Sequence, residues 1–239
     1  MIYTLTMNPA TDYVMILDEL KVGEVNRAGE TRCIAGGKGV NVAKLLGDCV
    51  SIVAKVSRTN VKIHHNECVT EINADSFADD AVIDDVRRKL DEINKGDWLI
   101  IGGSLPGGVD ADFYAKVTRE LTEKGVRVIV DTSGEPLREV VKSSNPWLIA
   151  PNEQEYAEIA DLEIKCNTLV SMGEKGARLT VGDKVYTCEG EVVKGGYTVG
   201  AGDALLAAFV AEFIKSNDYE QSLIAGVSRA AQYIKSHEY

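Results

Sequence analysis

Gly200-Ala201-Gly202-Asp203, followed at once by the apolar run 204–211, sets flexible glycines, an acid and a strongly helical segment in one line. That order describes a loop opening into a helix N-terminus, where N–H groups lack partners and the dipole end is positive, so the place binds anions. The glycine tract begins further upstream, at Gly195-Gly196-Tyr197-Thr198-Val199. An acid at the mouth of an anion site serves no purpose if the loop only holds phosphate. It has one if Asp203 takes a proton from a hydroxyl that then attacks a phosphoryl group. The other reading is structural, because Asp is a common N-cap. The loop by itself leaves both open.

A second cluster, Gly36-Gly37-Lys38-Gly39-Val40-Asn41, repeats the design with a lysine and an asparagine at the start of another helical run. It lacks the Gly-x4-Gly-Lys-Ser/Thr spacing of a P-loop and the Gly-x-Gly-x-x-Gly of a dinucleotide fingerprint, which sets aside a nicotinamide dehydrogenase. Alone it also reads as a helix entry with a surface lysine. Two such entries far apart in the chain suggest a site that holds two anionic partners.

The elements that must position these loops alternate. Strands are expected over 3–7, 97–103, 126–131, 147–150 and 167–171, with helices over 110–124, near 136–141 and from about 152. Continuous apolar strands separated by helices of this length argue for a parallel sheet covered on both faces, with ligands beyond the carboxyl ends of the strands. The two glycine entries and the loop 102–108 fall at those ends. Segments 13–17, 60–64 and 69–73 instead alternate between polar and apolar residues, which predicts an antiparallel excursion with one wet face.

The chain has 239 residues, enough for one sizeable core, and a formal charge of −11. That charge argues against nucleic acid or a membrane surface as partner. No apolar run approaches a membrane span, and Met1-Ile2-Tyr3-Thr4 lacks the basic start of a signal peptide. Five scattered cysteines (Cys33, Cys49, Cys68, Cys166 and Cys188) show no metal-like spacing, so unpaired thiols in a reducing cytoplasm are expected. His64-His65 has no companion cluster and reads as part of a polar strand or loop.

Four motifs occur in order: Asn8-Pro9-Ala10-x-Asp12, Gly36-Gly37-Lys38-Gly39-x-Asn41, Pro151-Asn152-Glu153-Gln154-Glu155 and Gly200-Ala201-Gly202-Asp203. Together they resemble the ribokinase-like carbohydrate kinases of the phosphofructokinase-B type, in the branch of 1-phosphofructokinase and tagatose-6-phosphate kinase. The resemblance implies an α/β fold: a ribokinase-like three-layer sandwich with a mostly parallel central sheet. It also implies a small β lid over about 13–35 and 52–74, within one domain, and in many relatives a homodimer through that lid. ATP and Mg2+ are the implied cofactors and a sugar phosphate the implied substrate.

By the same resemblance Asp203 is the general base, and the Gly200, Ala201 and Gly202 backbone N–H groups stabilise developing charge. Asp12, Gly37 and Asn41 face the sugar, and Lys38 and Arg58 take the phosphate already on it, with Lys62 and Arg27 as further local positive charge. Asn41 also reads as a helix cap, and Lys62 equally as a solvated strand residue. Asn152 and Glu155 surround magnesium and phosphate, while Ser171 and Gly173 flank the nucleotide. Asn152 and Glu155 also match a capping box, and both readings hold together.

The sequence departs from the family pattern twice. Leu46-Gly47-Asp48 passes directly to Cys49-Val50-Ser51-Ile52, where a relative has one more β-α unit, and a helix is expected between 161 and 167 that the chain has no room for. Baring several hundred Å2 of apolar surface would cost on the order of ten kcal/mol, comparable to a domain's whole stability. A compensating rearrangement or further intervening residues is therefore expected. The competing functional reading is a trimmed homologue that binds nucleotide or sugar phosphate without turnover.

Overall fold

Strand β7 (Trp98–Gly102) is buried along its whole length, the mark of a strand covered on both faces. Its side chains alternate between two layers. Leu99 and Ile101 pack with helices α2 (Asp80–Leu90), α3 (Phe113–Glu123) and α4 (Gly134–Ser143). Trp98 and Ile100 pack with α1 (Lys38–Leu46), α6 (Ala201–Ser216) and α7 (Tyr219–Ser236). This is the three-layer sandwich expected from the continuous apolar strands. The computed structural model describes residues 1–56, 58–66, 68–193 and 198–236.

The eight-stranded sheet runs β12 (Lys184–Cys188), β11 (Ala177–Val181), β10 (Asn167–Ser171), β9 (Leu148–Ile149), β8 (Arg127–Asp131), β7, β1 (Ile2–Thr6) and β4 (Val50–Val53). From β10 to β4 every neighbour is parallel, and β11 and β12 close the other edge as an antiparallel hairpin. From β1 the chain moves outward through α1 to β4. From β7 it moves the opposite way through β8 and β9 to β10. The order therefore reverses between β1 and β7, and a ligand crevice is expected beyond the carboxyl ends there.

Helix α1 sits over that reversal. A Cβ on Gly39 would lie 2.6 Å from the Leu5 carbonyl oxygen and in collision with Thr6 Oγ1, and one on Gly102 would lie 2.6 Å from Gly39 N. Only paired glycines let the helix start come down onto the two strands.

The smaller sheet has the order β3 (Glu30–Gly36), β2 (Ala10–Ile16), β5 (Thr59–His65) and β6 (Cys68–Asn73). Its outer pairs are antiparallel, but the central β2 and β5 run parallel, which corrects the wholly antiparallel expectation. Between β3 and β5 the chain returns to the main body through α1 and β4, and such a crossover is what brings a strand back in the same direction. The bounds differ as well. Ile52 and Val53 belong to β4 in the main sheet, so the second stretch of the small sheet begins at Thr59 rather than at 52.

The first departure from the family pattern is resolved by position. β4 follows α1 directly and takes the place beside β1 as the last strand, keeping Ile52 buried while Val50 stays exposed at the edge. β4 is thus the edge strand on this side of the sheet. Among the described residues no helix is long and apolar enough to cross a membrane.

Candidate functional site

Two cavities open at the carboxyl ends of the strands, on either side of the N-terminus of α6. The first, of about 410 Å3, is lined by Asp12, Gly37, Lys38, Asn41, Arg58, Asn152, Glu155, Ser171, Gly200, Gly202 and Asp203, so most of the predicted residues meet in one place. The second, of about 580 Å3, takes Gly173, Ala201 and the α7 residues Val227, Ala230, Ala231 and Ile234. Asn152, Ser171, Gly202 and Leu205 belong to both. Arg27 lines neither cavity and is exposed in the β2–β3 connection. The upstream part of the glycine tract, Gly195-Gly196-Tyr197, lies outside the described residues.

Helix α6 begins at Gly200, whose φ of 89° is the left-handed conformation a glycine adopts freely. A Cβ there would also lie 2.7 Å from Tyr233 Oη. Gly200, not Asp203, is therefore the N-cap, and Asp203 is the third helical residue with its carboxyl turned into the cavity. The capping alternative for Asp203 is overturned. Of the three N–H groups expected to face an anion, one is already engaged. The Ala201 N–H already donates to the Thr198 carbonyl at 3.1 Å, whereas the Gly202 and Asp203 N–H groups have no acceptor within the helix.

Asp203 is 6% exposed, and Asn41 Nδ2 donates to its Oδ2 at 2.8 Å. Asn41 is thus not a cap, since Gly37 holds that position on α1. Burial, with the Asp131 carboxylate added, pushes the Asp203 carboxyl up to about 6 against the opposing pull of Asn41, Lys38 and Lys62. For Asp203 to serve as the expected base it must be ionised, so in that role the rate should fall as pH drops through about 6. A kcat/KM profile recorded from pH 5 to 8 checks this, and a rate that stays level down to pH 5 would contradict it.

Lys38, on the same face of α1 one turn before Asn41, places Nζ 2.6 Å from Asp131 Oδ1. Burial works against its charge, but Asp131, Glu155 and Asp203 outweigh it and hold the ammonium above the ordinary lysine value. Asp131 ends β8 and is 4% exposed. Sequence reasoning missed it, although an acid at the carboxyl end of a buried parallel strand was a legible signal.

On the small sheet, Asp12 accepts from Asn60 Nδ2 at 2.9 Å and pairs with Lys62 Nζ at 3.0 Å, with Glu71 a further 3.8 Å contact of the same ammonium. The Lys62 side chain is 14% exposed, so its reading as a solvated strand residue is overturned. Asn60, Glu71 and Asn73, also unassigned from sequence, line the first cavity with it. Arg58 has no acidic partner among the described residues. Its Nη2 donates to the Asn8 carbonyl at 3.4 Å, and its Nε is buried without a hydrogen-bond partner there. Asn8 is fixed in turn by Ser76 at 2.7 Å and Ser104 at 3.0 Å.

At the start of α5 (Glu153–Ala157) the capping box is complete: Asn152 Oδ1 accepts from Glu155 N, and Glu155 Oε2 accepts from Asn152 N, both at 2.9 Å. Ser171 closes β10 and Gly173 opens the short 3-10 turn Gly173–Lys175 beside it. His64 and His65 lie within β5. Among the described residues no three His, Cys, Asp or Glu side chains stand together as a metal cage.

The profile of the pfkB family of carbohydrate kinases matches residues 48–238. A 1-phosphofructokinase of Borreliella burgdorferi is 29% identical, covering 95% of this chain and 90% of its own length. The aligned length of 278 positions against 95% of 239 residues leaves about fifty positions with no residue here, in line with the shortened connections. A D-tagatose-1-phosphate kinase of Klebsiella oxytoca is also 29% identical, over 93% of this chain and 89% of its own. Among solved structures, phosphofructokinase-2 from Escherichia coli in complex with substrates and products superposes with a TM-score of 0.89 at 22% identity, covering 98% of this chain and 92% of that one.

Proposed function

The chain belongs to the pfkB family of carbohydrate kinases, and from that premise we propose that it transfers the γ-phosphoryl group of ATP to a primary hydroxyl of a ketohexose phosphate. Fructose 1-phosphate and the tagatose phosphates are the leading acceptors. The observation that carries this reading is the junction of two cavities at one helix N-terminus, with a buried carboxyl of raised pKa at that point.

In this reading the sugar phosphate occupies the first cavity and the nucleotide the second, its base against the apolar wall of Val227, Ala230, Ala231 and Ile234. Asp203 removes the hydroxyl proton, the oxygen forms a bond to the γ-phosphorus, and the bond to the departing ADP oxygen breaks. The Gly202 and Asp203 N–H groups face the charge that develops on the transferred group. Asn41 holds the base in line. Arg58, the cavity cation without an acidic partner, grips the phosphate already on the sugar, where a planar guanidinium binds in two places. Asp12, with both oxygens steadied by Asn60 and Lys62, keeps lone pairs for sugar hydroxyls.

The residues fit a magnesium ion of the usual kinase kind, which takes one or two carboxylates and completes its shell from nucleotide phosphates and water. Glu155 would hold it, since its Oε2 is tied to Asn152 N and its carboxylate is thereby turned to the cavity. Bound there, the ion supplies neutralising charge to the nucleotide phosphates. We also place the chain in a reducing cytoplasm, in keeping with five unpaired cysteines. A homodimer through the small sheet is part of the same proposal. Tyr13, Met15, Val61, Ile63 and Ile72 alternate with the cavity-lining residues and turn an apolar face outward.

Nothing favours the non-catalysing alternative, because the base, its asparagine and the helix terminus are all assembled. ADP release should be measured with fructose 1-phosphate, tagatose 1-phosphate, tagatose 6-phosphate and the free sugars. Turnover is expected with at least one phosphorylated ketohexose, and Arg58→Met should raise its KM at least tenfold while leaving the KM for ATP within about twofold. Equal kcat/KM on unphosphorylated fructose would contradict the acceptor assignment.

A further inference from the structure

Three carboxylates, those of Asp131, Glu155 and Asp203, line the first cavity together with the Lys38 ammonium. Lys38 Nζ is 2.6 Å from Asp131, and Glu155 and Asp203 both lie near enough to act on its charge. A lysine carries its charge on four flexible carbons and pairs with whichever acid it can reach. Two of these three acids lose their use if it reaches them. An ammonium on Asp203 would neutralise the base, and one on Glu155 would occupy the cation ligand.

The third acid is placed to prevent this. Asp131 is fixed at the end of β8, between β7 and β9 in the middle of the sheet, and is buried. The partner that Asp203 does have is the neutral amide of Asn41, one turn along α1 from Lys38. We propose that Asp131 is a positioning residue that keeps Lys38 off Asp203 and Glu155 and aims its ammonium at the phosphoryl group, an inference that rests on the kinase reading above. The groups acting on Asp203 are Lys38 and Asn41 from α1, Asp131 from β8 and Lys62 from β5.

A double-mutant cycle of the full chain separates this role from a merely structural one, with Asp131→Asn, Lys38→Met and both together, reading kcat and the acid limb of the pH profile. In the wild-type background Asp131→Asn is expected to lower kcat about 10- to 100-fold because Lys38 swings onto Asp203, and to move the acid limb down by about one pH unit, through that ammonium together with the loss of the Asp131 charge. In the Lys38→Met background the same change should cost less than about threefold, with no lysine left to misdirect. An equal loss in both backgrounds overturns the proposal, as does an unmoved acid limb in a folded Asp131→Asn protein. Should that single variant not fold, the double variant still decides: activity matching Lys38→Met supports the proposal, and a much lower value overturns it. A wild type inactive on every ketohexose phosphate would remove the kinase reading and this inference with it, whereas an active wild type with an additive cycle removes this inference alone.

Discussion

Asp203→Asn is expected to lower kcat by ~10²- to 10⁴-fold while making the folded protein more stable at neutral pH. The first effect follows from the loss of a proton acceptor at fixed geometry, since the asparagine carbonyl still accepts the 2.8 Å hydrogen bond from Asn41. Ligand affinity should change little, because the donors at the helix terminus are backbone groups.

The second effect follows from the raised pKa. An aspartate that holds its proton to about 6 in the folded chain loses it near 4 when unfolded. Between those values the native state carries the extra proton, so stability falls as pH rises from about 4 to 6 and stays lower above. At 1.36 kcal/mol per unit, ionised Asp203 costs about 2 to 3 kcal/mol at pH 7, and the neutral amide avoids it. The gain should appear in thermal melts at pH 7.5 and vanish toward pH 4. A variant that keeps kcat within tenfold of wild type, or melts lower at pH 7.5, would contradict the assignment of base and burial together.

Gly39→Ala should be nearly as damaging although residue 39 carries no chemistry. One methyl group would be driven against the Leu5 carbonyl oxygen at 2.6 Å and into Thr6 Oγ1, both on the buried strand β1. The sheet cannot yield, so α1 must lift, at a cost of about 1 to 3 kcal/mol for overpacking a close-packed interior. Lys38 and Asn41 ride on that helix, and with them the placement of Asp203. A displacement of ~1 Å is enough to cost about 10²-fold in rate. Denaturant unfolding and kcat measured on the same preparation check both parts. Wild-type activity in a stable variant would mean that α1 does not set the site geometry.

The parts legible in the sequence are those where one residue type meets one physical demand. Continuous apolar runs such as 98–101 announced buried parallel strands, and glycines before an apolar run announced the terminus of α6. The capping box at Asn152 and Glu155 is local by nature and formed as read. What stayed hidden depends on tertiary register. Lys62 and Glu71 look like ordinary strand charges until β5 pairs with β6 and sets them opposite each other beside Asp12. The parallel pairing of β2 with β5 is decided by a crossover through the main body, which alternation within a strand does not encode. Val227, Ala230, Ala231 and Ile234 form an i, i+3, i+4, i+7 stripe that reads as core packing, yet they also wall the second cavity. Asp203 is ambiguous in the sequence because the helix start is uncertain by three residues, and the positive φ of Gly200 is what removes the cap reading.

The measurement closest to the central claim is a phosphorus NMR time course with ATP, magnesium and each ketohexose monophosphate, run with the wild type and with Asp203→Asn. The account predicts ADP and a second sugar phosphomonoester growing together in equal amounts for one acceptor, a product absent on the same timescale with the variant. ADP accompanied only by inorganic phosphate, or no turnover of any ketohexose phosphate by the wild type, would contradict it.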